Sequence, residues 1–138
     1  MRLFVRVAAG KSAVARLVTV VAPEHQSPLQ QFIILVYERE VPDSARAASP
    51  TILEAHLWLP QKIGETGGRI VAGHAARPAS AGVSIRDNVV SSGSLIVGET
   101  TFAGYLIVEA SDFDHAVWIG RMIPVSDGWV EVRPLVAA

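Results

Sequence analysis

The chain contains no cysteine in its 138 residues. This absence excludes disulfide bonds, a thiolate nucleophile and any metal site built from cysteine ligands. Long apolar runs are also missing, since no stretch approaches the ~18 residues that a membrane-spanning helix requires. We therefore expect a cytoplasmic protein that does not enter a membrane, with a length typical of one domain.

Charge is scarce as well. Only 18% of the residues are charged, whereas 50% are apolar, and the formal net charge is −1. Such a balance provides no basic footprint for nucleic acid, so no nucleic-acid partner is expected. In so small a chain, the surplus of apolar surface favours a subunit interface. The composition therefore predicts a homodimer.

The first 30 residues differ from the rest of the chain. They contain four basic residues and no acidic residue before Glu24. The cations interrupt the apolar core that a secretory signal needs. We expect residues 1–30 to be a loosely attached, poorly ordered extension, with a docked strand or short helix as the alternative. Residues 31–138 are then the folded domain.

The remaining chain shows strand patterns separated by two helix patterns. Apolar and β-branched runs predict strands at residues 31–38, 69–76, 83–90, 104–110 and 128–136. The first of these is apolar throughout and should be covered on both faces. Helices are predicted from a Ser49 cap to about Gly64, and from a Ser111 cap to about Met122.

Two local features qualify this pattern. Asp87-Asn88 predicts a turn inside the third strand region. Pro60 lies inside the first predicted helix, where its ring crowds the carbonyl group of His56. A kink or an early helix end is expected at that position.

With the middle strands merged into a hairpin region, the element order is βαββαβ. This order is typical of the ferredoxin-like split βαβ fold, an antiparallel sheet with both helices on one face. The other face would then need a cover, which a second sheet pressed against it could supply. The predicted class is therefore α+β, ferredoxin-like, in a symmetric dimer.

His56 is the first candidate functional residue. It follows Ile52 by four positions and precedes Leu59 by three, so it falls on the apolar stripe of its helix. A buried imidazole needs partners, because an unpaired buried polar group costs ~1–3 kcal/mol. Two interpretations stay open: a core histidine bonded to a carbonyl or hydroxyl group, or a general acid/base lining a pocket between helix and sheet.

The other candidates lie on predicted strands, and they are Tyr37, His74, Tyr105, Glu131 and Arg133. His74 could instead be an interface or strand-end histidine. Glu131 and Arg133 could form a structural ion pair, or could line a small cavity in which Arg133 binds an acidic substrate. His115 is expected on a solvated helix face. The scattered histidines form no metal-binding spacing, so neither metal nor cofactor is expected.

Three stretches carry a family resemblance: "QFIILVYE", "AHLWLPQKIGETGGRIVAG" and "GYLIVEASDFDHAVWIGRMIPVSDGWVEVRPL". Together they resemble the YciI-related domain proteins, including the branch named for an Asp-Gly-Pro-Phe motif. The likeness covers residues 31–136. It implies a dimeric α/β barrel. Some family members are proposed to be enzymes with a histidine and an aspartate in a pocket, and others are associated with extracytoplasmic-function sigma factors.

The chain departs from the family at the motif itself, where it has Ser92-Gly93-Ser94-Leu95. Only the glycine matches, so a role that needs the motif carboxylate is in doubt. The resemblance predicts a cofactor-independent enzyme or binder of a small, acidic organic molecule. Lyase- or isomerase-like chemistry would use His56 for proton transfer. The alternative is a non-catalytic regulatory dimer, associated with a sigma factor.

Overall fold

A computed structural model describes the backbone of residues 2–9, 14–21, 28–40 and 50–137, and the side chains of residues 28–40 and 54–137. In this part of the chain, eight strands and two helices follow one another: β1 Arg2–Ala9, β2 Val14–Val21, β3 Gln30–Arg39, α1 Pro50–Glu65, β4 Arg69–Ala75, β5 Val83–Arg86, β6 Val89–Ser92, β7 Thr100–Ala110, α2 Phe113–Met122 and β8 Gly128–Pro134. No helix within these ranges is long and apolar enough to cross a membrane.

The central sheet contains four strands in the order β4-β7-β3-β8, and every neighbouring pair is antiparallel. These strands and both helices lie where the sequence predicted them, which confirms the α+β class. β3 occupies an inner position between β7 and β8. Its continuous apolar sequence suits a strand with neighbours on both edges.

Both helices pack on one face of this sheet, which we call the covered face. The core there combines strand and helix residues: Phe32, Ile34, Leu59, Ile63, Val108, Ala110, Ala116, Ile119 and Ile123. Along β3, buried and half-buried residues alternate, so Phe32 and Ile34 lie under the helices and Ile33 does not. Each large apolar side chain fully buried there contributes ~1.5–3 kcal/mol of stabilisation.

The opposite face, which we call the open face, carries the odd-numbered residues of β3. Ile33, Leu35 and Tyr37 lie there beside Tyr105 and Ile107 of β7, and all five are half-buried. Neither α1 nor α2 packs on this face. Among the described residues, the two helices cover only one face of β3, and the expectation of a cover on the other face stays a prediction.

Two β-bulges change the register of the sheet. Between Val36 and Tyr37 of β3, the opposing residue on β7 changes from Gly104 to Phe102, so Ala103 has no opposing residue on β3. A second irregularity lies between Ile70 and Ala72 of β4. A bulge re-aims the side chains beyond it. The first bulge brings Phe102 onto the open face, beside Tyr37.

β5 and β6 form a separate antiparallel hairpin, inserted between β4 and β7. Asp87 and Asn88 connect its strands with φ angles of 51° and 65°. Two successive positive φ angles are those of a type I′ hairpin turn, in which asparagine and aspartate are favoured. The turn predicted from Asp87-Asn88 is confirmed.

The helix ends differ in detail from the predictions. Asp112, and not Ser111, caps α2: its carboxylate accepts a hydrogen bond from the backbone N–H of His115 at 2.7 Å. Pro60 does not end α1, which continues to Glu65. Because proline has no N–H group, it gives the His56 carbonyl no helical hydrogen bond.

β1 and β2 pair as an antiparallel hairpin with Arg2 opposite Val21 and Ala9 opposite Val14. Among the described strands, these two pair only with each other. Regular structure therefore exists inside residues 1–30, although the division into an extension and a domain stays a prediction. Ser49, the expected cap of α1, lies outside the described residues.

Candidate functional site

A cavity of about 340 Å³ lies between α1 and the covered face, where β4 ends and β7 begins. Its apolar wall is formed by Val36, Leu59, Ile70, Leu106 and Ile123. Pockets of this size, mostly apolar with a few polar groups, are typical of small-molecule sites. The cavity is therefore the first place to look for a ligand.

Four residues with ionisable side chains line this cavity: Glu38 near the end of β3, His56 on α1, His74 on β4 and Tyr105 on β7. The Glu38 carboxylate accepts a long hydrogen bond, 3.5 Å, from the backbone N–H of Ser126. The His56 side chain is exposed to solvent. The lining residues, all within the described ranges, include no lysine or arginine. An imidazole and a carboxylate are the groups most often used for general acid–base chemistry.

Two glycines, Gly73 of β4 and Gly104 of β7, allow these strands to pack closely at the floor of the cavity. A Cβ atom on Gly104 would lie 2.6 Å from the His74 carbonyl oxygen, and one on Gly73 would lie 3.1 Å from Cδ2 of Leu106. Only residues without a side chain permit so close an approach of β4 and β7 at this point. The floor is therefore strand backbone.

The helical position of His56 was predicted correctly, but its burial was not. Leu59 and Ile63 of the same apolar stripe are buried, whereas His56 is exposed. The reason is local, because α1 packs against the sheet at Leu59 and Ile63 and faces the cavity at His56. The imidazole therefore lies at the cavity rim and not in the core.

Strand alternation places the other five predicted site residues on the open face. His74 pairs with Tyr105 across β4 and β7, and their ring centroids are 5.9 Å apart. The Tyr37 ring stacks on Trp129, with centroids 5.5 Å apart and an interplanar angle of 18°. His74 and Tyr105 thus contact each other, Tyr37 contacts Trp129, and none of these ring contacts involves His56.

Glu131 and Arg133 form an ion pair on β8, with Arg133 Nε 2.9 Å from Glu131 Oε2. That oxygen is buried, and the contact does not have hydrogen-bond geometry, so Oε2 has a charge partner but no donor. This pairing fits the structural interpretation weighed from the sequence. It also means that the Arg133 guanidinium already faces a carboxylate of its own chain.

The sheet therefore divides the predicted residues into two groups. His56 lies on the covered side, while Tyr37, Glu131 and Arg133 lie on the open side. His74 and Tyr105 border the cavity, but as strand residues whose rings lie on the open face. One chain does not bring the predicted set together.

Glu38 was missed by the sequence analysis. Phe32, Ile34 and Val36 occupy the covered face at every second position of β3, and Glu38 continues that series. A carboxylate at an inward position is uncommon unless it has a partner or a function. Extending the alternation by one residue would have singled it out.

His115 was predicted to be solvated, and this prediction is wrong. Its ring is half-buried: Nδ1 accepts a hydrogen bond from the Ser111 backbone N–H at 3.0 Å, and Nε2 lies 2.9 Å from Thr66 Oγ1. Because a backbone N–H can only donate, the proton of the neutral ring belongs on Nε2. His115 therefore ties the start of α2 to the end of α1, and its role is structural.

The segment Ser92-Gly93-Ser94-Leu95, which the family resemblance singled out, lies at the base of the β5–β6 hairpin. Gly93 has φ +77°, which favours glycine, and its carbonyl accepts a 2.6 Å hydrogen bond from Ser84 Oγ. Gly93 and Ser94 line a second cavity of about 430 Å³, not the one beside His56. The segment brings no carboxylate to either cavity.

No cluster of three or more histidine, aspartate or glutamate side chains suited to a metal ion occurs among the described residues. A scan against protein-family models finds no match, and a comparison with curated proteins finds none either. The resemblance to the YciI-related family therefore stays a prediction carried by the three quoted stretches.

Proposed function

We propose that the chain is a YciI-related domain that dimerises through its open face and binds a small organic molecule in the cavity beneath α1. The observation that carries the proposal is the presence of His56 and Glu38 in the wall of one mostly apolar cavity. His56 would transfer the proton. Glu38 would orient the imidazole or accept a hydrogen bond from the ligand.

The fold and dimer parts of this proposal have their own support. The strand order β4-β7-β3-β8, with both helices in one core, is the arrangement expected of a ferredoxin-like domain. The open face is apolar at its centre, where Ile33, Leu35 and Ile107 lie without a helix over them. Two such faces pressed together would form the proposed dimeric α/β barrel.

The cavity also sharpens the ligand class. The expectation of an acidic ligand rested on Arg133, which lies on the open face. The cavity itself supplies a carboxylate and an imidazole without a fixed cation, which disfavours a carboxylate ligand beside Glu38. We therefore propose an uncharged organic molecule with one polar end, and lyase- or isomerase-like proton transfer at that end.

Ligand binding can be tested with benzyl alcohol and benzoate as probes, followed by NMR of the Leu59 and Leu106 methyl groups. We expect benzyl alcohol to shift these signals more than benzoate. Ala75 lines the cavity, so Ala75→Leu should fill it and abolish the shifts. Ala137→Leu, at an exposed position, is the matched control. Unchanged binding by Ala75→Leu would sink the proposed site.

Proton transfer needs a separate test. Phenylacetone in deuterium oxide reports it, because a base that removes its α-proton allows deuterium to enter. We expect the protein to accelerate this exchange, and His56→Gln to lose roughly 100-fold of the rate while still binding benzyl alcohol. If the unaltered protein gives no exchange above buffer, the enzyme interpretation fails and the binder interpretation stands.

The second candidate function is a non-catalytic regulatory dimer, associated with a sigma factor. One observation favours it: the segment Ser92–Leu95 adds no acid to the cavity beside His56. Binding of a purified sigma-factor region, together with failure of both probe experiments, would favour this candidate over the first.

A further inference from the structure

The β5–β6 hairpin and the loop that follows it, residues 83–97, form a projection that we call the arm. In its register, Ile85 lies opposite Val90, and Val83 lies opposite Ser92. One face of the hairpin therefore carries Val83, Ile85 and Val90. The other carries Ser84, Arg86, Val89 and Ser91. The arm is thus amphipathic, with three of its four large apolar hairpin residues on one side.

The apolar face of the arm is uncovered. Val83, Ile85 and Val90 are exposed to 62%, 67% and 62%, and Ile96 and Val97 in the following loop to 75% and 94%. A two-stranded hairpin alone is marginally stable in water and gains stability only when its apolar face packs on something. These five side chains together expose on the order of 400 Å² of apolar surface, an area comparable with the largest apolar patch on a typical monomer.

The arm leaves the central sheet at the end where the aromatic residues of the open face cluster. Phe102 lines the cavity at the base of the arm together with Val83. The Phe102 ring lies 6.0 Å from that of Tyr37, which stacks on the half-exposed Trp129. From there the open face continues to Leu35. The base of the arm therefore lies beside the aromatic end of the open face.

The charges on the open face are already neutralised within the chain. Arg69 pairs with Glu109 at 2.8 Å, and Arg133 pairs with Glu131 at 2.9 Å. An apolar segment laid on this face would therefore leave no unpaired charge buried, which is the costly outcome in an interface. An apolar partner can therefore bind the described part of the open face without supplying charged residues of its own.

We propose that the arm of one subunit packs its apolar face on the aromatic end of the open face of a second copy, at Phe102, Tyr37 and Trp129, and that the second copy reciprocates. The inference rests on the dimer in the proposed function and adds an exchanged contact to it. In a two-fold dimer both arms contribute. Together with the surface they cover, two arms would bury on the order of 1,600 Å², which is the size of a stable, specific interface.

Adjacent valines on opposite faces of the arm provide a matched test. Val89 and Val90 are exposed to 64% and 62%, so a charge at either position disturbs one isolated chain equally. In sedimentation equilibrium, Val90→Glu should raise the dimer dissociation constant about 100-fold, since it places a charge in the interface. Val89→Glu, on the polar face, should leave the constant within about twofold.

Leu35→Glu on the open face separates this inference from the dimer itself. If Leu35→Glu dissociates the dimer while neither valine variant does, the exchanged arm is overturned and the proposed dimer stands. If both valine variants weaken the dimer equally, the exchanged arm is also overturned. If the unaltered protein is monomeric, the dimer and the arm contact fail together.

The absence of cysteine permits a second, direct measurement. Subunits with a spin label on Val90→Cys can be mixed with isotope-labelled subunits that carry no spin label. Only contacts between copies then broaden the NMR signals. We expect the strongest broadening at the amides of Tyr37, Phe102 and Trp129. A label on Asp114→Cys, exposed on α2, should give none. Open-face amides that stay sharp with the Val90 label would overturn the proposal.

Discussion

The two faces of the central sheet are built from the same strands but differ in what covers them. On the covered face, Ile34 and Val108 have no exposed surface. On the open face, Ile33 and Ile107, their neighbours along the same strands, are only half-buried. Apolar alternation in a strand therefore identifies two faces but does not say what lies on each. A strand that is apolar on both sides indicates that both of its faces are covered. A second copy of the chain can supply the cover that its own helices do not.

The largest expected effect is the loss of unfolding free energy when an isoleucine on either face is replaced by alanine. Ile34→Ala removes a fully buried side chain and should cost about 3–4 kcal/mol at any protein concentration. Ile33→Ala should cost less in dilute solution, and more as the concentration rises and the proposed dimer forms. Urea unfolding at two protein concentrations measures both. A cost for Ile33→Ala that does not depend on concentration would contradict cover by a second copy.

The next effect concerns packing between α2 and the covered face. A Cβ atom on Gly120 would lie 2.9 Å from Cγ2 of Val132, whereas nothing lies within 4 Å of one on Gly64 of α1. Both substitutions to alanine improve helix propensity by up to ~1 kcal/mol. We expect Gly64→Ala to raise the free energy of unfolding by about 0.5 kcal/mol, and Gly120→Ala to lower it by about 1 kcal/mol because of overpacking.

Thermal unfolding of these two variants provides the measurement, because each serves as the control for the other. If Gly120→Ala were as stabilising as Gly64→Ala, α2 would lie farther from β8 than the structure places it. The covered face would then have no tighter packing than an exposed helix surface.

The smallest effects concern ion pairs. The pair between Arg69 and Glu109 on the open face spans 2.8 Å, and the Glu109 side chain is mostly buried. Arg39 and Glu99 are 3.8 Å apart and both well exposed. Double-mutant cycles should give a coupling of up to ~1 kcal/mol for the first pair and close to zero for the second. Equal coupling energies would mean that solvent screens the Arg69–Glu109 pair on the open face as fully as it screens the exposed Arg39–Glu99 pair.

Much of the fold could be predicted from the sequence because local chemistry determines it. The apolar run in β3, the positive-φ pair Asp87-Asn88 and the proline at the end of β8 each have one ordinary structural meaning. Helix caps were harder to assign, since Ser111 and Asp112 can both cap and only the fold decides between them. His115 could not be placed, because its partner Thr66 is distant in the sequence.

The candidate site was predicted less well, because it depends on contacts between residues that are distant in the sequence. Helical spacing identified the stripe that contains His56, but not the cavity that leaves His56 exposed. Tyr37 and Arg133 were correctly placed on strands, yet alternation alone did not separate their face from that of His56. Glu38 could have been found from alternation. The bulge at Ala103, which re-aims Phe102, has no comparable sequence signal.

The central claim is that the open face is an interface between two copies of the chain. Sedimentation equilibrium tests it most directly, with Leu35→Glu compared with Leu57→Glu, a residue exposed on α1. We predict twice the mass of one chain for the unaltered protein and for Leu57→Glu, and the mass of one chain for Leu35→Glu. A single-chain mass for the unaltered protein at every concentration would contradict the claim.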